Sequence, residues 1–191
     1  MILNLIYKKQ ENIFQMINFL FFKLFKWKIS GNFNLLPKKC VIIVAPHTHW
    51  LDFIVCVMVR KIIKVKINFI GKKELFIFPL NIFMKYMGGI AVDRNSKSNT
   101  VEQIAKMYYK ENTFRLALSP EGTRKKVEKW KTGFYYIAKK AKVPVICVSL
   151  NFIEKVVNFS QSFEITSDIH KDINKFKGFF NGIKGKIGKY S

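Results

Sequence analysis

The sequence predicts an α/β fold: one domain with a mixed, largely parallel sheet flanked by helices. Three observations on the 191 residues predict it. Short β-branched apolar runs alternate with longer segments of helical period, and no linker or repeat interrupts them. The runs are apolar throughout, which is the pattern of strands covered on both faces. Three polar clusters, PHTHWLD, DRN and PEGTRKK, fall where those strands end. Ligands bind at the carboxyl ends of parallel strands.

Composition narrows the class further. Hydrophobic residues make up 49% and aromatics 15%, which excludes a disordered chain. There are 34 basic residues against 12 acidic ones, a net charge of +22. That excess points to an anionic partner (nucleic acid, anionic lipid or a phosphorylated substrate) or to lysines that are merely solvated. Cys40, Cys56 and Cys147 are widely spaced with no CxxC pair, so they read as free thiols in a reducing compartment. Arginine occurs only at 60, 94, 115 and 124. Where lysine is the default cation, an arginine signals a need for its planar fork.

The elements follow in chain order. In MILNLIYKKQENIFQMINFLFFKLFKWK, polar residues interrupt the run before it reaches the roughly 20 apolar residues a span requires. No small-residue cleavage site follows to mark a signal peptide. Ile13, Ile17, Leu20, Phe21 and Leu24 recur at helical spacing, with Lys23, Lys26 and Lys28 around Trp27. This predicts residues 1–30 as an amphipathic helix lying in a membrane interface, the alternative being an ordinary core helix with basic flanks, and 31–191 as the domain proper. CVIIVAP at 40–46 predicts a buried strand, and WLDFIVCVMVRKI at 50–62 a helix. VKINFIG at 65–71 predicts a strand; 73–89 is helical in period, broken at Pro79 and ended by Gly88 and Gly89. IAV at 90–92 is a short strand leading into Asp93 and Arg94. A helix over 98–112, a strand over 113–120, a helix over 131–142 and a strand over 143–152 complete the alternation. The glycine-spaced basic tail after Asp172 reads as a fraying helix end or a second lipid contact.

His47 and Asp52 admit three readings. With Thr48 as helix cap, Asp52 points back along the side from which His47 enters, which allows a His–Asp dyad with one ring nitrogen free to take a proton. Alternatively the pair is structural, the histidine bound to backbone and the aspartate facing the helix dipole. A metal site built on His47 and His49 is the third, and a metal-dependent hydrolase would follow from it. However, the remaining histidine, His170, is far along the chain and no cysteine lies close. In SPEGTRKK, Gly122 permits a tight turn, while Glu121, Thr123 and Arg124 offer an acceptor, a hydroxyl and a donor fork suited to an anionic oxygen group. The alternative is a polar turn with an internal Glu–Arg pair. Ser119 is not in a G-x-S-x-G elbow, so it is a poor nucleophile.

H-x4-D at 47–52, a G-x-I-x-x-D-R-like stretch at 88–94, E-G-T-R at 121–124 and V-P-V-I at 143–146 occur in one order. In order and spacing they resemble the glycerolipid acyltransferases of the 1-acylglycerol-3-phosphate (lysophosphatidic acid) acyltransferase family. The resemblance implies acyl transfer from a thioester, on coenzyme A or acyl carrier protein, to a lysophospholipid hydroxyl at the cytoplasmic face of an anionic membrane. It implies His47 as general base oriented by Asp52. It implies that Arg94, Glu121, Gly122, Thr123 and Arg124 hold the acceptor's phosphate, and that Pro144 has a structural role near the acyl donor. No cofactor or metal is implied beyond the thioester co-substrate, and no nucleic acid. Amides at the helix start are expected to serve a developing oxyanion. The family often has Asn before the histidine; here it is Pro46.

Overall fold

Cys40 and Ile42 pack on one face of the sheet and Val41 and Ile43 on the other, and all four are buried. That double burial is why the strand is apolar at every position instead of every second one. The computed structural model describes residues 16, 20, 22–92 and 100–191. The strands are β1 (Lys28–Gly31), β2 (Lys39–Ala45), β3 (Asn68–Lys72), β4 (Gly89–Val92), β5 (Phe114–Leu118), β6 (Val145–Asn151) and β7 (Val156–Phe163). The helices are α1 (Leu51–Ile62), α2 (Leu80–Tyr86), α3 (Thr100–Lys110), α4 (Gly133–Ala141) and α5 (Ile169–Phe179).

The sheet order is β1-β7-β6-β2-β5-β3-β4. Every neighbouring pair is parallel except β6 and β7, which form an antiparallel hairpin. The expected mixed, largely parallel α/β domain is therefore the observed one. Ile104 and Tyr108 of α3, Phe134 and Ile137 of α4 and Phe176 of α5 cover one face. Val55 and Val59 of α1, with Phe22, cover the other around Ile146, Val148 and Phe159. Each such side chain contributes about 1.5–3 kcal/mol on full burial, so β2 and β6, covered on both sides, anchor the sheet. Tyr108 keeps its hydroxyl satisfied inside the core by donating to the Cys40 carbonyl at 2.8 Å.

Three elements were not expected. β1 pairs with β7 along the outer edge, so the boundary drawn after residue 30 falls inside a strand, and Lys28, Ile29 and Ser30 belong to the sheet. β7 and α5 lie beyond the last predicted strand. The apolar stretch 73–89 divides as Pro79 requires: a 3-10 turn at Lys73–Phe76, then α2, which stops before Gly88 at φ +80°. Arg60 anchors this end of α1, its guanidinium donating to the carbonyls of Ile67 at 2.8 Å and of Met87. Of the amphipathic segment, residues 1–15, 17–19 and 21 lie outside the described residues; Met16, Leu20, Leu24 and Phe25 are exposed and Phe22 is buried.

Candidate active site

β2 delivers Ala45 to the middle of the sheet's carboxyl edge, where the chain turns through a cis Ala45–Pro46 peptide. His47 follows, and its Nδ1–H donates to Asp52 Oδ2 at 3.0 Å. The same oxygen accepts the Thr48 amide at 2.7 Å and the His49 amide at 2.8 Å. Asp52 is only 1% exposed, and its Oδ1 is buried with no donor among the described residues. A buried carboxylate persists where donors face it. Here three N–H groups and the positive end of α1 do so. Because a carboxylate only accepts, this contact puts the imidazole proton on Nδ1 and leaves a lone pair on Nε2. The His47 side chain is 26% exposed, so the pair is open to solvent on the histidine side.

Thr48 is not the helix cap. Trp50 occupies that position without a side-chain cap bond, and Asp52 binds the preceding amides by reaching back from within the first turn. The His49 Nδ1 accepts the Leu51 amide at 3.2 Å. Both imidazoles are thus committed to neighbours through Nδ1, and among the described residues no three His, Cys, Asp or Glu side chains gather as a metal site needs. The amides of Thr48, His49 and Leu51 are all engaged, so these three are not the free oxyanion donors expected at the helix start.

Glu121, after β5, accepts the His47 amide at 2.7 Å and the Ser119 hydroxyl at 3.2 Å through Oε2. It ties two strand-end loops together and fixes His47 from behind. Burial pushes its carboxyl above the ordinary range, with the His47 amide pulling it back in part. Gly122 turns the loop at φ +65°, where a Cβ would come within 2.7 Å of Lys131 Cδ. Thr123 and Arg124 are exposed on that turn, and Thr123 Oγ1 accepts the Lys125 amide at 3.3 Å. Arg94 lies outside the described residues. Pro144 sits at the amino edge of the sheet, its carbonyl accepting the Val41 amide at 3.0 Å, across the sheet from His47.

Beneath the His47–Asp52 pair, between α1 and the sheet, runs a cavity of about 230 Å³. His47, Asp52, Ser119, Arg60 and Asn68 are its polar lining residues; Val44, Phe53, Cys56, Phe69 and Phe159 are among its apolar walls. The Cys56 thiol is pushed up to about 12 by burial, with the Asp52 charge adding to it, so it is a neutral wall. The sequence carried a signal for this space in the side chains of α1 that face β2, but an apolar pattern does not say whether facing side chains meet or leave a gap.

The basic tail also arrives here. After α5 the chain folds back so that the Ile187 amide donates to Thr48 Oγ1 at 3.2 Å. Lys184 offers its carbonyl to the Phe152 amide at 2.9 Å, and Gly185 donates to Ser191 Oγ at 2.8 Å. A Cβ on Gly185 would sit 2.7 Å from Thr48 Oγ1 and 3.2 Å from Pro46 Cγ. Of the tail's glycines only Gly185 is pressed in this way, since a Cβ on Gly182 or Gly188 would meet nothing within 4 Å.

Residues 26–151 match the model of a protein family described as Acyltransferase. No curated protein sequence matches the chain. Among solved structures, the chain is similar to the 1-acyl-sn-glycerophosphate (LPA) acyltransferase PlsC from Thermotoga maritima, with a TM-score of 0.61 and 19% identity over 88% of this chain and 76% of that one. That likeness is one of fold.

Two predictions arise from the geometry. Glu121→Gln keeps an acceptor for the His47 amide and removes the buried charge. The native state holds the Glu121 proton more tightly than the unfolded chain, so this group costs stability as pH rises through the carboxylate range. The Glu121→Gln protein therefore melts higher than wild type at pH 8, and the gap closes in acid; calorimetry across pH measures it. Gly185→Ala pushes Thr48 and with it the His47 loop. Turnover falls by about 10- to 100-fold, as a displacement near 1 Å produces, and the melting temperature falls too, because the shift draws amides away from the buried Asp52 carboxylate; kinetics and melting of the same preparation measure it.

Proposed function

The chain belongs to the acyltransferase family, and we propose that it transfers an acyl chain from a thioester to the hydroxyl of a lysophospholipid, 1-acylglycerol-3-phosphate. The observation that carries this reading is a histidine lone pair held at the mouth of an apolar cavity by a buried carboxylate. A thioester is already activated, so no covalent enzyme intermediate is needed. The acyl chain lies in the cavity with its carbonyl beside His47. The acceptor hydroxyl gives its proton to His47 Nε2 as its oxygen attacks that carbonyl. The C–S bond then breaks, and the leaving thiolate takes the proton from the imidazolium. Asp52 stabilises the imidazolium between the two steps and keeps the ring oriented. Water is a competing acceptor, and the apolar wall of Phe53 and Phe69 keeps it away from the carbonyl.

In this reading the phosphate of the acceptor meets the turn after β5, where the exposed Arg124 offers a bidentate fork beside Gly122 and Thr123. Arg94 joins it by the resemblance of the stretch it stands in. Glu121 is assigned a different task from that first expected. Its carboxylate is spent on His47 and Ser119, and a charge there repels phosphate, so it braces the base. Coenzyme A and acyl carrier protein both fit as thioester carriers. The basic surface and the amphipathic start suit a site of action on the cytoplasmic face of an anionic membrane.

The deciding experiment incubates the purified protein with a panel of lysophospholipids and both donor types and identifies products by mass spectrometry. Phosphatidic acid from 1-acylglycerol-3-phosphate is the expected product; its absence beside another diacyl lipid would reassign the acceptor. His47→Ala lowers the rate by about 10²–10⁴-fold, the contribution of a positioned base, with the fold unchanged by circular dichroism. Arg124→Lys replaces the fork with a point charge, so the acceptor's KM rises several-fold while the donor's stays put; initial-rate kinetics in both substrates separate the two.

A further inference from the structure

Among the described residues, the segment between β3 and β4 carries a run of exposed large apolar side chains that the site does not explain. Ile77 is 65% exposed, Phe78 77%, Leu80 44%, Ile82 62% and Phe83 56%. Few soluble surfaces leave so many large apolar side chains together in water, and such patches mark contact sites. These five occupy both the turn and α2, and no single stripe at helical spacing accounts for them. A short helix docking on a protein groove would bury one stripe and keep polar residues opposite. A turn and helix whose exposed apolar side chains fall on no single stripe instead suit a medium that surrounds them.

Charge identifies the medium. Between Phe53 and Val92 the sequence has seven lysines and arginines and one acid, Glu74. Lys85 and Lys66 are exposed at either end of the segment's neighbourhood, and the Lys61 ammonium lies 4.7 Å from the ring centre of Tyr86, itself half exposed. Aromatic and aliphatic side chains with lysines beside them match the acyl–headgroup boundary of an anionic bilayer. Position agrees. β3 runs parallel to β2 with only β5 between them, so the segment leaves the same carboxyl edge that carries His47, about 10 Å away across the sheet. Met87 at the end of the segment and Phe69 of β3, the strand that leads into it, both line the cavity.

We propose that residues 77–83 form a membrane-docking knuckle that inserts among the lipids of an anionic bilayer and sets the His47 edge against its surface. The occupant is the lipid surface itself, separate from whatever the amphipathic start contributes. The proposal leans on the lipid-acceptor reading only for its purpose, since membrane binding is measured without turnover.

The test is sedimentation of the full chain with vesicles of phosphatidylcholine and phosphatidylglycerol. The net charge of +22 draws the chain toward these vesicles in any case, so the variant must leave charge unchanged. Phe78→Ser with Phe83→Ser does so. Partitioning is expected to weaken by about tenfold or more, as two lost interfacial aromatics require, with the melting temperature unchanged. Unaltered partitioning overturns the proposal. So does a wild-type chain that self-associates and becomes monomeric in this variant while vesicle binding persists, because that assigns the patch to a second copy. Should the double variant melt early, Phe78→Trp decides: its added emission shifts to the blue and is quenched by brominated lipid if the knuckle inserts, and an unshifted, unquenched emission overturns it. Turnover separates the two readings. With a monomeric short-chain acceptor the double variant matches wild type, and with acceptor embedded in vesicles it falls behind. A wild-type chain that acylates no lipid while Phe78 still inserts leaves the docking intact and removes the lipid-acceptor reading.

Discussion

One carboxylate oxygen organises this molecule's working edge. Asp52 Oδ2 accepts from the His47 imidazole and from two successive backbone amides in a setting that excludes water. A charge so placed is costly unless its donors stay in position. The cost is therefore a constraint on the loop: any movement of residues 47–49 strips a donor from a buried anion. The same three contacts that make the charge tolerable also fix the ring and its tautomer. The usual division, in which a helix cap serves stability and a catalytic acid serves chemistry, collapses into one side chain.

Other parts of the chain bear on that loop from three directions. From below, β2 is held between β5 and β6 and buried on both faces, so its carboxyl end is the most immobile point at which a loop can begin. From the side, Glu121 grips the His47 amide. From above, the tail closes on Thr48 at a contact that leaves no room for a Cβ at Gly185. The loop is thus clamped by residues 74 and 139 positions distant in the chain, and the base is preorganised before substrate arrives.

Local pattern made most of the frame legible. Apolar runs with helical or strand period announced β2, α1, α3, β5, α4 and β6, because a doubly covered sheet forces its strands to be apolar throughout. β1 escaped notice because it has four residues on an edge and neither of its end residues is buried, and β7 because Asn158, Ser160, Gln161 and Ser162 dilute its apolar positions. In the site, the five-residue step from His47 to Asp52 was readable because it depends only on a helix beginning between them. Thr48 misled: a hydroxyl before an apolar run resembles a cap, yet its hydroxyl faces the tail and the cap is supplied from inside the helix. Glu121 misled in a related way. Next to Arg124 it reads as part of an anion turn, and only the packing of two strand ends reveals that it faces a backbone amide. Contacts between distant loops leave no period in the sequence.

Topology then links chemistry to surface. In a parallel sheet every crossover returns to the same edge, so β2, β3 and β5 all release their loops on one side. His47, Glu121, the turn at Gly122–Arg124 and the start of the segment after β3 share that side for this reason alone. A catalyst whose acceptor is confined to a bilayer must bring its base to the interface without carrying water along. Under the proposed docking, apolar side chains on the loop two strands from His47 serve the first of these needs by bringing that edge to the bilayer. In the proposed reaction an acyl chain seated along α1 brings its carbonyl to His47, at the carboxyl edge of the sheet. The direction of the strands thereby sets the edge at which the proposed transfer takes place.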